Sequence, residues 1–345
     1  MLKRFLPVLL AIVFFIPVLK TVDWGKTWEL LKTTNIALCL LALICFLIMI
    51  YIKGIRWSYL IKMQGHHYSV WNCFLIYMST LALGSLTPGR AGDFAKIFYL
   101  KKDLRFSTGT SMASTLVDRV FDLYLLLILG CVGILAYPMP IDPNLIKAVW
   151  AFFGLLIVVT LFAFNQKIGG ALLKAVFQRM MKQEHKDKAD KLFNDFHEGM
   201  ECFYKPAILY PVFLSFLAYV FFFGACYLVA IAIELPINIL YISFCVSVVN
   251  IVSLLTFLGV GTRDGALIIL FKLVSVQKDQ AEAYSMLLFF VGTIVFSLIG
   301  LYCFYLKPIE LSFLSKSKTA PPKAPISTIR RVGKKTKSAN KSLKK

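Results

Sequence analysis

The chain has 345 residues, 59% of them apolar, with 30 Phe and a formal net charge of +20, and its mean hydropathy is +0.74. An apolar share this large exceeds what a soluble domain of this length needs for its core, so the composition excludes a water-soluble enzyme and predicts an all-α, polytopic membrane protein. The charge does not imply nucleic acid: Lys316 to Lys345 holds eleven Lys/Arg and no acid, and the tail 311–345 is expected to be disordered, cytoplasmic and held near anionic lipid headgroups.

A spanning helix needs roughly 20 apolar residues. Judged so, spans fall at 5–19, 36–52, 70–88 continuing after a break to 100, 116–137, 145–164, 207–231, 238–258 continuing after a break to 275, and 284–306. The first follows Lys3 and Arg4 but ends in Pro17, Lys20 and Asp23 with no small-residue cleavage site, and reads as an uncleaved anchor. Trp24, Trp28, Trp57 and Trp71 fall at span edges and are expected in the headgroup layer. His66 and His67 lie in a polar loop without an acid or cysteine beside them. The eight cysteines form no C-x-x-C pair and read as small packing residues, so neither a metal nor a cofactor is expected. In the loop 165–206, Leu172, Leu173, Val176, Phe177 and Met180 recur at helical spacing among Lys174, Arg179 and Lys182, as in an amphipathic helix on the inner membrane surface.

Orientation follows from Lys and Arg near the span ends. The loop 165–206 carries eight and the tail eleven, whereas 138–144 and 232–238 carry none. The first two are therefore placed inside and the other two outside, with both termini cytoplasmic. The chain then threads consistently only if 70–100 and 238–275 each enter and return on one side. This makes an inverted repeat of span, span, re-entrant hairpin and span, over about 1–140 and 141–310, with broken helices meeting near the midplane. Were 89–100 and 262–275 surface segments instead, eight full crossings would result.

The two breaks carry the chemistry. Pro88-Gly89-Arg90-Ala91-Gly92-Asp93 and Gly259-Val260-Gly261-Thr262-Arg263-Asp264-Gly265 interrupt apolar runs in corresponding places of the two halves, the sign of a transporter site. Pro and Gly let the chain turn at depth, where a freed backbone group must face protein or a wet cavity. Arg90 and Arg263 suit a phosphate or carboxylate headgroup through their planar fork, with Asp93 and Asp264 beside them. The competing reading is an internal Arg–Asp pair that only locks each turn. Asn250, polar in the descending arm of the second hairpin, is a further candidate for contact with substrate or a neighbouring helix. Asp118-Arg119-Val120-Phe121-Asp122 opens the fourth span with two acids on one helical face, which fits ion or proton coupling as well as ordinary helix N-terminal chemistry.

These three strings, with Leu86-Thr87 before the first and Leu123 after the second, resemble the integral-membrane region of lysylphosphatidylglycerol synthases, the flippase-like family, over about residues 5–306. The acidic position of the first and third strings is commonly Glu in that family, whereas Asp93 and Asp264 stand here. The resemblance implies a translocase that moves phospholipid or aminoacylated phospholipid between leaflets. The soluble aminoacyl-transferase domain of the bifunctional members does not follow Leu306, so lysyl transfer by this chain is not expected, although a separate lipid-modifying enzyme is a possible partner.

The expected function is thus a flippase or scramblase for an anionic or aminoacylated phospholipid or a polyprenyl-phosphate lipid, in a bacterial cytoplasmic membrane. Its rivals are an ion-coupled carrier of a small soluble anion, a membrane enzyme acting on lipid, and a scaffold acting through the tail. No activated nucleophile or acid–base pair stands at a reactive spacing, so no catalytic residue is expected.

Overall fold

The computed structural model describes residues 29, 32–85, 87–136, 143–164, 183–253 and 262–308. The span 5–19, Trp24, Trp28, residues 165–182, Gly259, Gly261 and the tail 311–345 lie outside the described residues.

Among the described residues every regular element is a helix. The first, α1 (Ile36–Met63), is capped by the Asn35 side chain, whose oxygen accepts the Leu38 N–H at 3.3 Å. After it come α2 (Val70–Ser85), a tight helical turn over Pro88–Ala95, α3 (Lys96–Asp103), α4 (Thr108–Ala136) and α5 (Pro143–Phe164). The second half holds α6 (Gln183–Glu201), α7 (Leu209–Ala232), α8 (Ile239–Ser253), α9 (Thr262–Lys272), α10 (Lys278–Phe289) and α11 (Val295–Leu306), the last two joined through a π-helical turn at Phe290–Ile294.

Among the described residues, three stretches are long and apolar enough to cross a membrane: Ile36–Met63, Pro206–Ala232 and Lys278–Leu306. On α1 the exposed side is Ile36, Leu40, Ile44 and Leu47, and on α7 it is Leu209, Phe213, Phe216 and Val220. Apolar stripes of this kind are stable against lipid rather than water. The chain is a polytopic, all-α integral membrane protein.

Helices α1 and α4 extend beyond the spans read from hydropathy. The second span continues through Met63, so Lys53 and Arg56 stand inside a helix and not in a loop. Helix α4 begins at Thr108, eight residues before its apolar run. The first extension carries Lys53 and Arg56 into the protein, where Asp118 and Asp122 of the fourth span satisfy them. Trp57 is likewise not a headgroup anchor: it is fully buried, edge-on to Tyr77. Trp71, in contrast, is exposed.

Hydrogen bonds tie the helix ends into two groups. At one end Gln64 Nε2 donates to the carbonyls of Thr110 (3.1 Å) and Gly199 (3.2 Å), joining α1, α4 and α6. Tyr99 donates to the Lys307 carbonyl at 2.8 Å, and the Lys307 ammonium pairs with Asp103 at 2.7 Å, which brings the end of α11 to the same group. At the other end the Asn35 N–H donates to the Ala232 carbonyl at 3.0 Å. Tyr284 donates to the Cys226 carbonyl at 3.1 Å, placing the middle of α10 beside the last turns of α7.

The short helices fit between these ends. A 16-residue α2 is about 24 Å long at 1.5 Å per residue, too short to cross a hydrocarbon core of about 30 Å. After α2 the turn at Pro88–Ala95 folds back on its last residues, and Lys96, Ile97, Tyr99 and Leu100 of α3 are buried. Residues 96–100 are therefore no surface segment. Tyr241, near the start of α8, donates to the carbonyl of Leu270, near the end of α9, so these two legs run side by side.

Candidate functional site

The bend after α2 is shaped by its backbone. Gly89 takes φ 63° and Arg90 φ 54°, two left-handed residues in succession. For arginine that conformation costs about 1–2 kcal/mol, a strain that persists only where surrounding contacts enforce it. The Thr87 hydroxyl accepts the Gly92 N–H at 2.7 Å and itself donates to the Leu83 carbonyl at 3.1 Å, stitching the turn to α2. Contact is so close that a methyl group on Gly92 would overlap the Leu83 carbonyl. Asp93 is thereby delivered into the interior, where it is 1% exposed, while Arg90 stays half-exposed at the tip.

Asp93 heads a continuous ladder of eight charged side chains. Its Oδ2 pairs with Arg90 at 3.3 Å and with Arg119 at 2.8 Å. Arg119 reaches Asp122 at 3.9 Å, and Asp122 holds Lys53 at 3.1 Å and Arg56 at 3.0 Å. Arg56 also clamps Asp118 at 2.6 Å, and Asp118 in turn holds Lys96 at 2.8 Å. The ladder joins α1, the first bend, α3 and α4, and it contains five cations and three carboxylates.

Its inner end is fully satisfied. Arg56 is wholly buried and donates to Asp118 Oδ1 through Nε (2.9 Å), to Ser215 Oγ (2.8 Å) and to Tyr77 (3.2 Å). The Tyr77 hydroxyl donates to Asp118, and the Lys96 ammonium lies 3.2 Å from the centre of the Tyr77 ring and 5.2 Å from that of Trp57. The outer end is less complete: Arg90 Nε, Arg119 Nε and both Asp93 oxygens lack a hydrogen-bond partner of good geometry.

That outer end opens on a cavity of about 400 Å³. Lys53, Arg90, Asp93, Arg119 and Asp122 line it, as do Asn250, Ser253 and Arg263 from the second hairpin. Phe46, Leu126, Phe222, Leu288 and Phe289 make an apolar wall. Opposite the first bend, Arg263 pairs with Asp264 at 2.8 Å, donates to Ser285 Oγ at 3.1 Å and lies 4.2 Å from the centre of the Phe289 ring. Ser285 donates to the same Asp264 carboxylate.

Of the residues singled out from sequence, the cavity thus gathers Gly89, Arg90, Asp93, Arg119, Asp122, Asn250 and Arg263. Asp118 lies behind it, held by Arg56 and Lys96 rather than facing the space. The Asn250 amide donates to the Val246 carbonyl of its own helix at 2.8 Å. Gly265 sits inside α9, where an added methyl would meet nothing within 4 Å. Lys53, Arg56, Lys96, Tyr77, Tyr219 and Ser285 were not legible as site residues; Lys53 and Arg56 follow an apolar run and look there like loop cations. One signal was present: three acids within apolar segments demand cations, and Lys53 and Arg56 are three apart, on one helical face.

Comparison with known proteins agrees with this architecture. The chain is 22% identical to a UPF0104 membrane protein of Methanocaldococcus jannaschii over 318 residues, 86% of this chain and 93% of that one. Residues 4–300 match the lysylphosphatidylglycerol synthase TM region. That match takes in the charged ladder, the cavity and both hairpins, and so the chain belongs to the lysylphosphatidylglycerol synthase TM region family.

Proposed function

We propose that this protein is a lipid translocase, a flippase or scramblase, whose cavity receives the anionic headgroup of a membrane lipid while the lipid tails remain in the bilayer. One observation carries the reading: a single cavity joins cations of the first bend, α1 and α4 to Arg263 of the second hairpin, against an aromatic and aliphatic wall. A headgroup needs charge-assisted hydrogen bonds to replace water, and guanidinium groups at depth supply them. The hydrocarbon next to it needs the apolar wall.

In this reading the two halves are inverted repeats, each contributing one re-entrant hairpin, and alternating exposure of the cavity moves the headgroup across. The termini and the face bearing Gln64, Asp103 and Lys307 are cytoplasmic, in a bacterial inner membrane, and the basic tail meets anionic headgroups there. The chain makes and breaks no covalent bond. A separate enzyme that modifies the lipid is a candidate partner.

Transbilayer movement of fluorescent phospholipids and polyprenyl-phosphate lipids in proteoliposomes tests this. Arg90→Ala and Arg263→Ala are each expected to slow movement by about tenfold or more, as for loss of a charge-assisted contact. Lipid movement at the rate of empty liposomes, with a proton gradient imposed, would instead favour a carrier of a small soluble anion. Loss of function on deleting 316–345, with Arg90→Ala still active, would favour a scaffold.

A further inference from the structure

The tails of a lipid whose headgroup sits in the cavity have to leave it through a wall that hydrocarbon can cross, and the helices of that wall are not held alike. Lys53 ties α1 to α4 through Asp122 at 3.1 Å, and Tyr219 ties α7 to α4 by donating to the Asp122 carbonyl at 3.2 Å. Helices α8, α9 and α10 are chained to one another and to α7 by the hydrogen bonds of Tyr241, Arg263 and Tyr284. Ser85 and Ser297, with their hydroxyls 3.1 Å apart, join α2 to α11. Helix α5 is the exception. Among the described residues no hydrogen bond or ion pair ties it to another helix, and the Thr160 hydroxyl donates to the Leu156 carbonyl of α5 itself at 2.7 Å.

Leu156 nonetheless belongs to the cavity wall. It alone is buried among the described side chains of α5, whereas its neighbours Leu155 and Val158 are exposed. One helix thickness therefore separates the cavity from the bilayer here. On α4 the ring of Tyr124 meets Phe153 of α5 edge-on at 6.3 Å. Tyr124 follows the lining residue Leu123, and Ile128 and Val132, four and eight residues further along that face, are exposed. Helix α5 thus covers only part of this face of α4.

Apolar side chains gain little by exchanging lipid for protein, so helices in a membrane are held by close approach at small residues and by hydrogen bonds. An added methyl on Gly300 of α11 would overlap the Met78 carbonyl of α2, but one on Gly154 of α5 would meet nothing within 4 Å. Swinging α5 away from α4 breaks no polar contact among the described residues, and a hydrocarbon chain can take the place that Leu156 leaves.

We infer that the seam between α4 and α5 is a hydrocarbon site, a lateral portal through which the lipid tails pass, and that Leu156 is the plug that α5 withdraws. This rests on the translocase reading above.

The test uses the full chain in phosphatidylcholine vesicles, with fluorescent phosphatidylglycerol and phosphatidic acid as probes. Tyr124→Cys and Phe153→Cys are combined and bridged in detergent by a short bis-maleimide with a disulfide in its spacer, then reconstituted. Each single variant, treated alike, controls for the native cysteines. Bridging is expected to reduce lipid movement to the rate of empty vesicles, and reductant to restore it, which a damaged fold would not allow. Leu156→Trp is expected to slow movement about tenfold by overfilling the seam, with Leu155→Trp, on the lipid side of the same helix, at the parental rate. Movement at the parental rate in the bridged chain or in Leu156→Trp overturns the inference and leaves the translocase reading standing. If the parental chain moves neither lipid above empty vesicles, the translocase reading falls and this inference with it.

Discussion

Arg56 and Lys53 are three residues apart on one helix, yet their surroundings give them different work. Arg56 directs its donors to Asp118, Asp122, Tyr77 and Ser215 and reaches no open space. Removing one partner of such a buried pair leaves the other charged and unpaired, at a cost of about 3–5 kcal/mol. Asp118→Asn is accordingly expected to destabilise the folded protein by about that amount, because Arg56 and Lys96 both lose their counter-charge. Ser215→Ala removes one hydrogen bond and is expected to cost about 1–3 kcal/mol. Unfolding in detergent, followed by thermal or denaturant midpoints, reads both. Equal effects of the two substitutions would mean that the Asp118 pairs are solvated and not structural. Substitutions at Arg90, on the tip and half-exposed, are expected to reduce lipid movement with less change in midpoint than Asp118→Asn.

The first hairpin works as a unit because its bend lies flush on α2. Gly92 meets the backbone of Leu83 and Gly84, so Gly92→Val forces the bend away from α2 and withdraws Asp93 from Arg119. Lipid movement is expected to fall to background, with a loss of stability of about 1–3 kcal/mol from overpacking. Retained movement at the parental rate would show that the position of Asp93 does not matter to the site. A second irregular element borders the cavity: the π-helical turn at Phe290–Ile294 sets Phe289, Gly292 and Thr293 against it. Such turns cluster at functional sites, since the extra residue redirects side chains that a regular helix would bury. Deleting Val291 restores regular helical spacing and rotates the following residues by one position. Movement is expected to be lost while the protein still inserts, which separates the register of this turn from the presence of the helix.

The hydrogen bonds between helix ends sort the connections into two faces, with His66 at the one bearing Gln64 and Glu234 at the one bearing Asn35. Single cysteines introduced at these two exposed positions are expected to react with a membrane-impermeant maleimide from opposite sides, His66→Cys from the cytoplasm. Labelling of both from one side would overturn the arrangement of the helices relative to the membrane.

Much of this was legible in the chain itself. Hydropathy located the helices, since spans need a run of apolar residues, and the glycine-bearing break at Pro88–Asp93 marked the bend after α2, because glycine takes left-handed conformations closed to most other residues. Arg90, Asp93 and Arg263 stood out for the same reason: a charge inside an apolar run demands an explanation. The length of α1, the burial of Trp57 and the roles of Lys53, Arg56 and Lys96 were not legible. Each depends on partners distant in the chain, as when Arg56 meets Asp118 and Ser215. The sequence by itself determined a polytopic helical membrane protein with charges set among its apolar segments, because the bilayer imposes its demand on each segment separately. Which charges neutralise one another, and which of them line the cavity, only the tertiary structure decided, because pairing in a low-dielectric interior is settled by distances of a few ångströms between side chains that the linear order keeps apart.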